Sequence, residues 1–239
     1  MADLLYIHSD AGEGSTEFVD LSGNDIALTA NGDVKHSTTQ AKFGATSIYF
    51  DGVDDYISMA SGPSLGAGDF TIDFWMYQTS RPTWGVILDS RTSASSNPAI
   101  LWHTSNQTIA FFAGAVVVES AVALNTWTHL AFVRSGSAIT LYKDGVSVST
   151  ATNSTNFTAA FSKIGTSWDN YEYFGYIDEL RIRDEAVWTT NFTPPTSAYV
   201  VKSTYADQIM ANSPCNYWTL SDASGNAVDT RGEHDLTWS

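Results

Sequence analysis

Carboxylates, histidines and aromatic rings are the groups in this 239-residue chain that could do chemistry. Glycoside hydrolysis with retention needs two carboxylates ~5–5.5 Å apart on one wall of a cleft. Asp178 and Glu179, in Ile177-Asp178-Glu179-Leu180, are the nearest candidates. Neighbours on a regular strand point to opposite faces, so they should not form that pair. Asp69 and Asp73 share a face, but four residues at ~3.3 Å each separate them by roughly 13 Å. The 5 histidines, His8, His36, His103, His129 and His234, have no zinc-type spacing. Neither a Gly-x-Ser-x-Gly elbow nor a Gly-x-x-x-x-Gly-Lys phosphate loop occurs. The expectation is a protein that is not an enzyme.

Metal binding is the better chemical candidate, because calcium takes oxygen ligands from loop Asp, Asn and carbonyl groups. VDLSGND gathers Asp20, Ser22, Asn24 and Asp25, and FDGVDD gathers Asp51, Asp54 and Asp55. In a regular strand Asp178 shares a face with Leu180 and Ile182 and would be partly buried. A buried carboxylate needs a cation or several hydrogen bonds. One structural Ca²⁺ held by Asp20, Asp178 and Asn24 is therefore expected. The alternative is that these side chains cap turns, pairing with backbone N–H groups or with an arginine such as Arg134. Aromatic rings suggest a ligand surface, since exposed ring faces stack on sugars or anchor proteins. TSWDNYEYFG places Trp168, Tyr171 and Tyr173 in a polar loop, and Trp84 and Trp102 are further candidates. The competing use of these rings is to cover sheet edges or fill the core.

The elements that must position these groups are strands. In DFTIDFWMYQ, Phe70, Ile72, Phe74 and Met76 alternate with Thr71, Asp73, Trp75 and Tyr77, a period of two. TWTHLAFVRS and FGYIDELRIR behave similarly, and AITLYKDGVSV reads as a hairpin turning at Lys143-Asp144-Gly145. Further strands are expected at 4–9, 26–36, 46–51, 55–59, 84–91, 99–103, 108–113 and 115–120. Many short strands between turns indicate an all-β antiparallel sandwich or jelly roll. The clearest helix candidate is STYADQIMAN, after Ser203, and short helical turns are expected around Glu185–Trp188. Pro194-Pro195 stops strand and helix alike and marks a boundary between residues 1–197 and a tail, 198–239.

Composition narrows the function classes. A net charge of −15, from 11 Lys+Arg against 26 Asp+Glu, disfavours nucleic acid and anionic membrane surfaces. No run approaches the ~18–20 apolar residues of a membrane span. A lone cysteine, Cys215, allows no internal disulfide, and MADLLYIHSDAGEG lacks the basic and apolar regions of a signal peptide. Synthesis in a reducing host cytoplasm is the expectation.

KFGATSIYFDGVDDYISM, GDFTIDFWMY, NTWTHLAFVRSGSAITLYKDGVSV and KIGTSWDNYEYFGYIDELRIRDEAVWTTNFTPP follow one another in order. Together they resemble the laminin-G-like, concanavalin A-like lectin/glucanase jelly-roll family over roughly residues 4–197. The resemblance implies a two-sheet sandwich that recognises glycans or proteins more often than it catalyses, and some members hold a structural calcium ion. Glucanases of this fold carry Glu-x-Asp-x-x-Glu, which this chain lacks. LTANGDVKHSTTQAKFG resembles a subgroup common in bacteriophage structural proteins. The implied role is a non-catalytic virion surface protein, a capsid decoration or a tail or fibre component. Its partners would be other virion proteins, further copies of itself or a host cell-surface glycan. A bacterial carbohydrate-binding or adhesin module is the alternative.

The tail repeats the opening of the chain. Ser9-Asp10-Ala11 matches Ser221-Asp222-Ala223, Val19-Asp20 matches Val228-Asp229, and Leu28-Thr29 matches Leu236-Thr237. It reads as the first hairpin of a second jelly roll. Two strands alone are marginal in water. Tyr217, Trp218 and Leu220 should therefore dock on the main domain or on a neighbour.

Overall fold

The computed structural model describes residues 3–81, 84–93, 98–103, 107–199, 218–219 and 228–229. Every regular element among them is a strand. The chain divides into a unit spanning Met1–Tyr199 and a second spanning Val200–Ser239. In the first unit the strands are β1 (Asp3–Ile7), β2 (Leu28–Asn31), β3 (Lys35–Ser37), β4 (Ser47–Asp51), β5 (Tyr56–Met59), β6 (Phe70–Gln78), β7 (Trp84–Asp89) and β8 (Ala99–His103). They continue with β9 (Thr108–Phe112), β10 (Val116–Ala121), β11 (Thr128–Ser135), β12 (Ala138–Lys143), β13 (Val146–Thr152), β14 (Lys163–Ile164) and β15 (Phe174–Arg183).

Two antiparallel sheets form a sandwich. The first runs β13-β12-β11-β6-β15-β4-β3, with β1 also paired to β15, and the second runs β10-β9-β8-β7-β14-β5-β2. Between them lie Phe50, Phe70, Ile72, Phe74, Leu130, Phe132 and Ile182 from one side, and Ile57, Ile87, Leu88, Ile100, Phe111 and Ile164 from the other. This is the aligned arrangement in which alternate residues of both sheets share one core. The hairpin turn is as expected. Asp144 and Gly145 both have positive φ, 49° and 77°, as a two-residue turn between Lys143 and Val146 requires. A Cβ on Gly145 would lie 1.9 Å from the Phe192 carbonyl oxygen, so only glycine fits there.

The first sheet is covered on its outer side as well. Thr71, Asp73 and Trp75 of β6 are buried together with the opposite, core-facing residues. Over Trp75 the cover is Lys42 and Phe43, and over Thr71 and Asp73 it is the strap that follows β15. Trp188 and Phe192 stack at 4.0 Å and pack with Ala186 over Ala131, Val133 and Tyr142. Val187 N–H donates to Thr71 Oγ1, and Phe192 N–H donates to the Gly145 carbonyl. A bend at Asp184–Glu185 and irregular chain through Trp188 replace the expected helical turns, and Trp188 packs on the sheet. Tyr199 ends the strap. Its ring lies 3.5 Å from the Arg181 guanidinium carbon, its N–H donates to Glu179, and its hydroxyl donates to Asp73.

In the second unit, β16 (Trp218–Thr219) pairs antiparallel with β17 (Val228–Asp229). The expected helix after Ser203 lies outside the described residues, as do Tyr217 and Leu220.

Candidate functional site

Among the described residues the strap covers the outer face of the first sheet and none covers the outer face of the second, where a cavity lies. β7 supplies its floor. A register shift between Val86 and Leu88 turns both Ile87 and Leu88 into the core and leaves Val86 outside, against Trp84 and Phe112. The loop from Gly165 to Tyr173 forms the wall and is stitched to β7. Gly165 N–H donates to the Ile87 carbonyl, Val86 N–H donates to the Tyr171 carbonyl, and Trp168 N–H donates to Asp89. Tyr171 N–H donates to Ser167 Oγ, which fixes the loop's own bend.

The result is a cavity of about 210 Å³ lined by Trp84, Val86, Arg91, Phe112 and Tyr171. The Trp84 and Tyr171 rings stand 5.9 Å apart at 40°. Arg91 closes one side, its guanidinium carbon 5.4 Å from the Phe112 ring centre. Its charge is matched: Nε donates to Asp89 Oδ1 at 2.8 Å and Nη2 to Oδ2 at 3.1 Å, and Asp89 is fully buried. The cavity thus offers ring faces and a neutralised arginine. None of its five lining residues is a carboxylate.

Two of the aromatic candidates, Trp84 and Tyr171, line this cavity together. Trp168 is exposed on the same loop without lining it. Tyr173 is a core residue instead. Its N–H bond to the Gly165 carbonyl draws the chain inward, its ring meets Phe50, and its hydroxyl donates to the Tyr176 carbonyl. Trp102 pairs in the ladder with Gly85 and Ile109, and its side chain lies outside the described atoms. Val86, Arg91 and Phe112 were not anticipated. The available signal was the Trp-Gly-Val spacing, which alternates Trp84 and Val86 onto one face.

The metal candidates have separate partners. Asp20 accepts hydrogen bonds from the N–H groups of Tyr6, Ser22 and Ile26 and from Ser22 Oγ. Asn24 donates its side-chain amide to the carbonyls of Asp3 and Leu4 in the same turn. Asp178 Oδ2 instead accepts from Lys42 and Phe43 N–H, and Oδ1 from Glu179 N–H. Both carboxylates are seated by N–H donors in the manner of turn caps, Asp20 and Asp178 in different segments. Arg134 does not pair with a carboxylate side chain. Buried between the Phe70 and Phe157 rings, it donates to the carbonyls of Gly66, Gly68 and Thr155.

Asp178 does not share a face with Leu180 and Ile182. A bulge between Asp178 and Arg181, with Glu179 at φ 54°, shifts the parity of β15. Ile177, Leu180 and Ile182 enter the core, and Asp178 lies outside it, under the Lys42–Phe43 loop. The same bulge overturns the expectation that Asp178 and Glu179 diverge: one oxygen of each lies within 4.8 Å of the other and of a His8 ring nitrogen. Both carboxylates are buried, and Glu179 is bonded to His8, to the Tyr6 hydroxyl and to Tyr199 N–H. Burial pushes the Asp178 carboxyl up to about 7, helped by the nearby Glu179 charge and opposed by the N–H groups of Phe43 and Lys42. The hydrogen bond to Glu179 raises the His8 imidazole above its ordinary range.

Residues 51–189 match a laminin G-type family model described as the Concanavalin A-like lectin/glucanases superfamily. No curated protein sequence matches the chain. Among solved structures it is similar to the binding domain of botulinum neurotoxin DC in complex with SialylT, at TM-score 0.60 and 11% identity, covering 78% of this chain and 49% of that one. Domain 4 of AbnA, a GH43 extracellular arabinanase from Geobacillus stearothermophilus in complex with arabinotriose, aligns at TM-score 0.55 and 20% identity, covering 78% of this chain and 94% of that one. The ligand-binding domain of botulinum neurotoxin serotype D in complex with N-acetylneuraminic acid aligns at TM-score 0.58 and 12% identity, covering 78% and 48%. The chain spans about half the length of the neurotoxin chains it resembles. With two packed antiparallel sheets in place and the family model covering most of both, the chain belongs to the Concanavalin A-like lectin/glucanases superfamily.

Proposed function

We propose that the chain is a non-catalytic glycan-binding module whose site is the Trp84–Tyr171 cavity. The observation that carries this reading is the pair of ring faces over a cavity of about 210 Å³, with no carboxylate among its lining residues. The apolar C–H faces of a sugar pack on such rings, and the edges of its hydroxyls reach the polar rim. The fold's likeness to domains solved with arabinotriose and N-acetylneuraminic acid supports a sugar as occupant. Asp89 selects between them. By neutralising Arg91 it removes the positive charge an acidic sugar would require, in a chain of net charge −15. The ligand class is therefore a neutral glycan.

The setting we propose is a bacteriophage particle, where the module is a capsid decoration or a tail or fibre component. The likeness of LTANGDVKHSTTQAKFG to phage structural proteins supports it. The second reading, a bacterial carbohydrate-binding module, is favoured by the match to nearly the whole of the arabinanase domain. A glycan array tests the binding claim: the purified chain should retain neutral glycans, should show no preference for sialylated or uronic ones, and should release no sugar from them. Selective binding of acidic glycans, or turnover, would overturn it. Detection of the chain in purified phage particles separates the two settings.

A further inference from the structure

Two aromatic rings in one cavity can sandwich a single sugar, share one flat face of it, or each take a sugar of its own. Geometry decides between these. A sandwiched sugar needs two contact gaps of ~3.5–4.0 Å, roughly 7–8 Å in all. The Trp84 and Tyr171 ring centres are 5.9 Å apart, too close for that. The ring planes are inclined at 40°, so a sugar lying flat on one is tilted off the other. Each ring therefore serves a different sugar unit. The inclination is set by the backbone. Trp84 packs against Val86, and Val86 N–H donates to the Tyr171 carbonyl, so adjoining hydrogen-bonded segments carry the two rings. Tyr171 N–H donates to Ser167 Oγ, and Asn170 takes a φ of 62°, closing the turn from which Tyr171 departs. Such a preformed platform favours ligands that already have its shape.

We propose, resting on the glycan reading of this cavity, that its ligand is a stretch of at least two consecutive neutral sugars whose ring planes are inclined to one another, as in a coiled polysaccharide. A flat ribbon such as cellulose flips each unit by half a turn about the chain and so presents parallel ring planes. It has to be bent to follow both Trp84 and Tyr171, and that bending subtracts from affinity. Coiled chains such as amylose and laminarin incline successive units without that cost. A lone terminal sugar reaches one ring only. Arg91 supplies the polar contact: Asp89 takes its Nε and Nη2, and among the described residues Nη1 is left to donate to a sugar hydroxyl.

An array of neutral glycans, sorted by linkage and length and probed with the full chain, tests this. The glycans bound should contain two or more consecutive units in a coiling linkage. In calorimetry with the strongest of them, its disaccharide should bind about tenfold or more tightly than its monosaccharide. Trp84→Ala and Tyr171→Ala, each shown to be folded by its thermal melt, should each bring the disaccharide down to about the affinity of the single sugar, because one ring holds one unit. Neutral binders led by cello-oligosaccharides or other flat ribbons, or a monosaccharide that binds as tightly as the disaccharide, would overturn the proposal and leave the glycan reading standing. Binding of acidic glycans alone, or of no glycan, would remove that reading and the proposal with it.

Discussion

At the residue scale, buried ions govern stability. Arg134 is held by three carbonyls and two ring faces, joining the segment around Gly66–Gly68 to Thr155. Arg134→Met keeps the stem but strands three buried acceptors, each worth ~1–3 kcal/mol. A loss of about 3 kcal/mol in urea denaturation is expected, and a loss below 1 kcal/mol would show that water replaces the guanidinium. The pH response follows from Asp178 and His8. Both hold protons more tightly folded than unfolded, so both contribute stability at low pH that is lost as pH rises. For Asp178 the loss runs from its unfolded value near 4 up to about 7; for His8 it continues through its raised folded value. The melting temperature should fall between pH 5 and pH 8, and Asp178→Asn should flatten that fall. A melting temperature that rises over this range would contradict the assignment.

At the element scale, the strap from Asp184 to Tyr199 decides which face is open. Phe192→Ala removes a half-buried ring that stacks on Trp188 and packs on Tyr142. The cost should be about 2 kcal/mol, below the ~3–5 of a fully buried Phe→Ala, with glycan binding on the far sheet unchanged. Loss of binding at unchanged fold would show that the two faces are coupled. Strand positions were legible in the sequence because period-2 alternation is a local signal: the expected 46–51, 55–59 and 99–103 fall on β4, β5 and β8 to within a residue. What alternation cannot register is a bulge. Glu179 at positive φ carries no warning in its residue type, and it reversed the face assigned to Asp178. Nor does alternation reveal a covering strap, so the burial of Asp73 and Trp75, opposite the core face, is not readable from it.

At the scale of the whole molecule, the described residues of the sandwich cover the outer face of the first sheet and leave the second uncovered, and the uncovered one carries the candidate site. Two of the five residues that line that site were legible. Trp84 and Tyr171 stood out as aromatics in polar surroundings, whereas Arg91 and Phe112 join them only through cross-strand packing that no spacing encodes. Asp20 and Asp178, the calcium candidates, each accept several N–H groups, which is what turn caps do without an ion. The melting temperature should therefore be the same in calcium as in EGTA, and a rise with calcium would restore the shared ion. The central claim is that sugars bind on the rings of Trp84 and Tyr171. Its most direct measurement is the glycan-array profile of wild type beside that of Trp84→Ala/Tyr171→Ala, with thermal melts confirming that both are folded. Each lost stacking face is worth about tenfold in affinity at ~1.4 kcal/mol, so the double variant should lose neutral-glycan signal by about a hundredfold. A folded double variant that keeps the wild-type profile would contradict the account.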